Sequence, residues 1–435
     1  MAWKSARAVR WNAEQESMFA DDEEQEQRFE QRCRWMVTAF GFGQGCCVNV
    51  YLSAGGYLGD RFQDKYFFVW MCAVVYTAPF LVFMLARRLD PYFDRHYGFR
   101  KVYQVRLALS MLLGAVLVAA LIAATVGESA SRFTILALGA LVGAVAGSVA
   151  SASAQFFGVI SPKLVPLFFL GQTSSGAYIN VAARVAGFHP DCPSGSVIWY
   201  YSSGIAVAVL PALIFFVNHY RGGLDPAYRR HHQMTPSASM ASMVAGTPRT
   251  ELPLTTSDEG ADFRVCYPWR WSEKELVIRL AFLCQIFVVA LNISLTPLAN
   301  VLAHGKFNLG QEIVLAKLFG DFVGRVLFFG LPNPRRLKRH LALNWVVACL
   351  RLPAWIVLIM HALSKEPWFN EAELLAIWLP FVLTAAFGGS WLQVVAIQAA
   401  DAQEKRAVAA RMNIAVYLGF LCGVIFAGVF AMAVR

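Results

Sequence analysis

The chain has 435 residues, of which 57% are hydrophobic and 15% charged, against roughly 25% charged in soluble domains. The apolar excess is gathered into blocks about as long as the ~20 residues that span a bilayer, too continuous for the ~10-residue alternating strands of an outer-membrane barrel. The net charge of +10 sits mostly on one set of loops, so it marks a membrane orientation and calls for no nucleic-acid partner.

Taken in chain order, residues 1–34 carry an acidic run, Asp21 to Glu24, and read as a solvated cytoplasmic tail. No apolar core follows the basic residues of this tail, so a cleaved signal peptide is not expected. Eleven apolar blocks follow: 35–57, 66–86, 103–126, 133–160, 164–186, 196–218, 276–303, 311–331, 341–363, 374–399 and 407–434. Each predicts a transmembrane helix, which makes the chain an all-α polytopic membrane protein. Six helices form an N-terminal bundle over residues 35–218, and five form a C-terminal bundle over 275–435. The intervening cytoplasmic segment, 219–274, is rich in Ser, Thr and Pro and is expected to be largely disordered. Its His231-His232 pair has no Cys or carboxylate neighbour and reads as solvated, not metal-binding.

Basic residues set the sidedness. Arg87, Arg88, Arg95, Arg100, Lys101, Lys163, Arg335, Arg336, Lys338, Arg339, Lys405, Arg406 and Arg411 fall on one side. The other side holds Arg61, Lys65, Arg132, Lys306 and Lys365. The N-terminus is therefore expected inside and the C-terminus outside, with the plasma membrane as the expected location. The nine cysteines lie mostly in spans, with Cys192 in an outer loop, so free thiols are expected. The pattern Asn292-Ile293-Ser294 lies within a span, where glycosylation is not available.

The eighth block breaks the apolar rule. Lys317, Asp321 and Arg325 stand at i, i+4 and i+8, one stripe of a helix. Each costs about 2.5–3.5 kcal/mol at the centre of a span, so the stripe must face protein or a wet cavity, with Asp321 accepting from both cations. An ion-pair ladder that locks packing and a substrate site both satisfy that requirement. Phe319 and Phe322, off the stripe, suit lipid or neighbouring helices.

Other polar groups point toward the same interior. Asn49, Gln155, Gln172 and Asn180 bring amides into spans one, four and five, and their Ser-, Thr- and Gly-rich surroundings allow close helix approach. Arg184 and Arg351 read as cations that snorkel or pair with a neighbouring carbonyl. Prolines 79, 166, 211, 297, 353 and 380 are expected to kink their spans.

At these residues the sequence resembles the equilibrative nucleoside transporter family. "DFVGR", Asp321 to Arg325, resembles that family's Asp-Trp-x-Gly-Arg motif of span eight, and "LGQTSSG", Leu170 to Gly176, its Ser-Gly-Gln-Gly motif of span five. "GFGQGCCVN", "SLTPLANVL", "LRLPAW" and "GGSWLQVVAIQAAD" are similar to its spans one, seven, nine and ten. The resemblance implies a major-facilitator-like fold and a central cavity in which Asp321 and Arg325 contact a nucleoside, with Asn49 and Gln155 nearby. Gln172 and Lys317 complete the candidate substrate site. Cys47 and Val48 stand where the family has Pro-Trp, Leu318 where it often has Asn, and Thr296 where it has Phe, so a nucleobase or another small polar or cationic solute also fits.

The expected activity is facilitated transport of nucleosides or nucleobases by alternating access between the two bundles. No ATP-binding signature is present, and His304 and His361 lack a paired acid, so neither a pump nor an enzyme is expected. No cofactor, metal or obligatory protein partner is called for. Asp321, flanked by cations, makes a poor proton carrier, which favours uniport over proton symport. A receptor without translocation is the remaining class.

Overall fold

The computed structural model describes residues 2–64, 66–127, 130–161, 164–189, 192–228, 272–329, 337–401 and 404–433, with side chains from Arg28 onward apart from a few positions within helices. The segment expected to be disordered lies outside the described residues over 229–271, which includes His231 and His232; so do Lys65, Lys163, Arg335 and Arg336. Everything long in the described chain is helix. In order these are α1 (Ala2–Ser53), α2 (Gly55–Arg61), α3 (Phe67–Tyr103), α4 (Ser110–Val126), α5 (Arg132–Ile160), α6 (Leu164–Val185) and α7 (Ser194–Tyr220). The second half holds α8 (Glu273–Leu295), α9 (Ala299–Leu302), α10 (Phe307–Phe329), α11 (Leu337–Leu363), α12 (Glu371–Ala399) and α13 (Lys405–Ala433).

Local sequence explains most boundaries. Ser131 and Ser272 accept hydrogen bonds from the backbone of Thr134 and Glu275, capping α5 and α8. Asn370 and Glu373 form a reciprocal capping box at the start of α12. α3 is kinked at Gly98, whose φ of 74° favours glycine, and a π-helical turn over Gln104–Leu109 leads into α4. Pro297 interrupts the seventh span with a 3₁₀ turn, Thr296–Leu298, between α8 and α9. The first span is not a separate element: it is the end of α1, which begins at Ala2, so the backbone expected to be a tail is helical.

Each of the eleven apolar blocks coincides with helix, yet only eight helical segments are apolar enough, by length and composition, to cross a bilayer among the described residues. The three that fall short are α1, α6 and α10. They contain Lys317, Asp321 and Arg325 and several of the amides, and they pack on one another, α1 against α6 and α6 against α10. Apolar helices supply the remaining walls, with α3 and α5 meeting α13 where the two halves touch.

The α1–α6 crossing is set by two glycines. A Cβ on Gly41 would lie 1.8 Å from the Phe168 carbonyl oxygen, and one on Gly171 would lie 2.0 Å from that of Thr38. Backbone there meets backbone. We expect Gly171→Ala to destabilise the protein by about 1–3 kcal/mol through overpacking, whereas Gly428→Ala in α13, where a Cβ meets nothing within 4 Å, is neutral or stabilising by about 0.5–1 kcal/mol. Thermal unfolding of the two variants in detergent checks the contrast.

Candidate functional site

The stripe of α10 turns inward. Lys317 and Asp321 are each 8% exposed, while Phe319 on the other side is 52% exposed. Lys317 Nζ donates to Asp321 Oδ2 at 2.8 Å, a charge-assisted bond formed within one helix turn. The expected ladder does not extend to Arg325. Its Nη1 donates instead to Ser390 Oγ at 3.0 Å, and its guanidinium lies 5.2 Å from the centre of the Phe169 ring, a cation–π contact that reaches from α10 to α6. Arg325 thus touches both halves.

Around this stripe lies a cavity of ≈ 90 Å³. Asn49 comes to it from α1, Phe169, Gln172 and Thr173 from α6, and Lys317, Leu318, Asp321 and Arg325 from α10. Tyr76 of α3 and Phe420 of α13 add aromatic surface. Gln285 and Asn292 of α8 and Gln393 of α12 complete the polar lining. Five of the six expected site residues are therefore together: Asp321, Arg325, Asn49, Gln172 and Lys317. Gln155 is not among the lining residues; it lies on α5 with its amide 3.5 Å from Ser151 Oγ.

Asn49 is held by its neighbours. Its Nδ2 donates to Ser175 Oγ at 2.9 Å and to the Gln172 carbonyl at 3.4 Å. Asn180 donates to the Gly176 carbonyl of its own helix and does not line the cavity. Arg351 behaves as the carbonyl-pairing reading expects: Nε and Nη1 donate to the carbonyls of Phe381 and Val288 at 3.2 Å each, and the guanidinium stacks 4.2 Å from the Phe381 ring. It braces α8, α11 and α12 behind the cavity. His361 is likewise structural, bridging the Leu302 carbonyl and the Trp368 backbone N–H.

Contacts between the two halves flank the cavity toward both faces. Toward the face where α6 begins, Tyr76 meets Phe420 with ring centres 4.8 Å apart and Phe83 meets Tyr417 at 4.9 Å. Toward the face where α6 ends, Arg184 pairs with Glu312 at 3.3 Å across the two halves, with side chains 69% and 52% exposed. A volume of ≈ 90 Å³ is well below the roughly 300–1,000 Å³ of ligand pockets.

Sequence reasoning missed Tyr76, Phe169, Phe420, Gln285, Asn292 and Gln393. For the amides the signal was present: isolated Gln and Asn in otherwise apolar runs, with Gln285 and Asn292 seven residues apart and so on one helix face. The rings carried no distinguishing signal, because aromatic residues are common in such runs.

No protein-family model and no curated protein sequence matches the chain. Among solved structures it is similar to the proton:xylose symporter XylE of the major facilitator superfamily bound to 6-bromo-6-deoxy-D-glucose, at 12% identity and a TM-score of 0.58, over 94% of this chain and 89% of that one. It is also similar to a bacterial homolog of the human lysosomal transporter Spinster, in an inward-facing and unoccupied conformation, at 12% identity and a TM-score of 0.50, over 93% and 83% of the two chains. The chain is an integral membrane protein with the all-helical major-facilitator fold.

The buried ion pair sets a stability expectation. Lys317→Met strands the Asp321 carboxylate and should cost about 3–5 kcal/mol, whereas the double replacement Lys317→Met, Asp321→Leu should recover most of that loss. Unfolding of the purified variants in detergent measures both.

Proposed function

We propose that the protein is a carrier that passes nucleosides or nucleobases across the bilayer by alternating access, as a uniporter. The observation that carries this reading is the cavity between the two halves, lined by one carboxylate, two cations, five amides and three aromatic rings. The rings Tyr76, Phe169 and Phe420 offer stacking surface to a planar base, which answers the loss of an aromatic residue at Cys47 and Val48. Asp321 accepts hydroxyl or ring N–H donors, Arg325 donates to ring acceptors, and the amides do both. The resemblance of "DFVGR" and "LGQTSSG" to the equilibrative nucleoside transporters supports the same substrate class.

An organic cation suits the lining poorly, because Lys317 and Arg325 outnumber Asp321. Uniport is favoured over proton symport because Lys317 already gives Asp321 a counter-charge at 2.8 Å. Translocation consists of parting the halves at one face while the other stays closed, so the cavity opens to one side at a time.

Uptake of labelled adenosine, uridine, adenine and hypoxanthine in transport-deficient cells tests the proposal. Asp321→Ala and Arg325→Ala should each reduce the initial rate by at least about tenfold while the protein still reaches the surface. Full transport by both would return these residues to a structural role. An imposed acid-outside gradient should leave the wild-type rate unchanged, and strong stimulation would establish symport instead.

A further inference from the structure

The polar groups that line the cavity differ in how they are satisfied. On the α1–α6 side, Asn49 is bonded to Ser175 and to the Gln172 carbonyl, and Thr173 Oγ1 donates to the carbonyls of Phe169 and Leu170 at 3.1 Å each. On the α8–α12 side, Gln285, Asn292 and Gln393 are only 2%, 8% and 2% exposed, and Gln285 Oε1, Asn292 Oδ1 and Gln393 Oε1 are enclosed with no hydrogen-bond partner. Arg325, beside them in the lining, has an unpartnered Nε.

Three buried amides left open on one wall are costly, and apolar residues of the same size would fill those positions without that cost. Geometry groups them as well. Gln285 and Asn292 share one face of α8, and Gly389, one turn before Gln393, brings the α12 backbone so near that a Cβ there would lie 3.2 Å from Gln285 Nε2. Each amide offers a donor next to an acceptor, which matches a ring N–H beside a ring C=O.

We infer that Gln285, Asn292 and Gln393 are specificity-determining contacts, an amide rack on the C-terminal half that pairs with the hydrogen-bonding edge of a planar heterocycle. This rests on the carrier reading given above. The stacking rings and the charged stripe accept any base of the right size. The rack discriminates among bases by the polar groups on their rims, since an analogue lacking those groups leaves the amides buried and unpaired.

The test is a competition ratio. Hypoxanthine and unsubstituted purine, which keeps the ring system but lacks the exocyclic oxygen, are compared as inhibitors of labelled hypoxanthine uptake in proteoliposomes. Wild-type protein should prefer hypoxanthine by at least about tenfold, and Gln285→Met and Gln393→Met should each shrink that preference by about threefold to tenfold. Gln44→Met replaces an equally buried amide of α1 with an unpartnered Oε1 outside the cavity lining, and should leave the ratio unchanged. The ratio does not depend on how much protein is inserted, and a variant that no longer transports is read by the thermal stabilisation the two ligands give it in detergent. An unchanged ratio in both Gln variants overturns the rack while leaving the carrier intact. A wild-type protein that takes up none of the labelled bases or nucleosides overturns the carrier reading and the rack with it.

Discussion

Hydrocarbon offers no partner to a charge, and that constraint organises this molecule. A helix that carries Lys317, Asp321 and Arg325 can sit in a bilayer only with its charged stripe turned toward other protein. Once α10 is fixed in that orientation, α6 has to lie against it, and α1 has to lie against α6 closely enough that Gly41 and Gly171 meet opposing backbone. The more apolar helices are left to face lipid and to close the remaining sides. The cavity is a by-product of the same rule, since a stripe of charge cannot be packed flat by apolar neighbours. What remains beside it is a small, polar-lined space at the junction of the halves.

The contact between the halves around that space is uneven. On one face it is made by aromatic pairs, Tyr76 with Phe420 and Phe83 with Tyr417, each worth about 0.5–1.5 kcal/mol beyond the area it buries. On the other face it includes an exposed ion pair, Arg184 with Glu312, of a kind that contributes about 0–1 kcal/mol and weakens with salt. Parting the halves at the Arg184–Glu312 face therefore breaks solvent-screened contacts, whereas parting them at the aromatic face separates rings that have been sheltered from water. Arg325 sits between, bonded to Ser390 in its own half and stacked on Phe169 in the other, so movement at either face disturbs it.

The helices were legible in the sequence because bilayer thickness sets their length, and the charged stripe was legible because helical spacing alone puts three residues on one face. The choice of partner was not. Asp321 had two cations at equal sequence distance, and only the neighbours of Arg325, Phe169 and Ser390, decided that it turns away. Gln155 and Gln393 are both single amides in apolar runs, yet one faces Ser151 and the other the cavity; nothing local separates them, because the rotation of a helix about its axis is decided by what it packs against. Arg351 was the easier case. A lone buried guanidinium has to find carbonyls, and it finds those of Val288 and Phe381.

The polarity of α10 also bears on how the protein is made. A segment that carries Lys317, Asp321 and Arg325 is a poor substrate for release into lipid by itself, and it needs a surface already waiting for it. Synthesis runs from the N-terminus, so α6 and α1 are complete before α10 leaves the ribosome. The order of helices along the chain thus supplies a docking wall for the one span least able to stand alone.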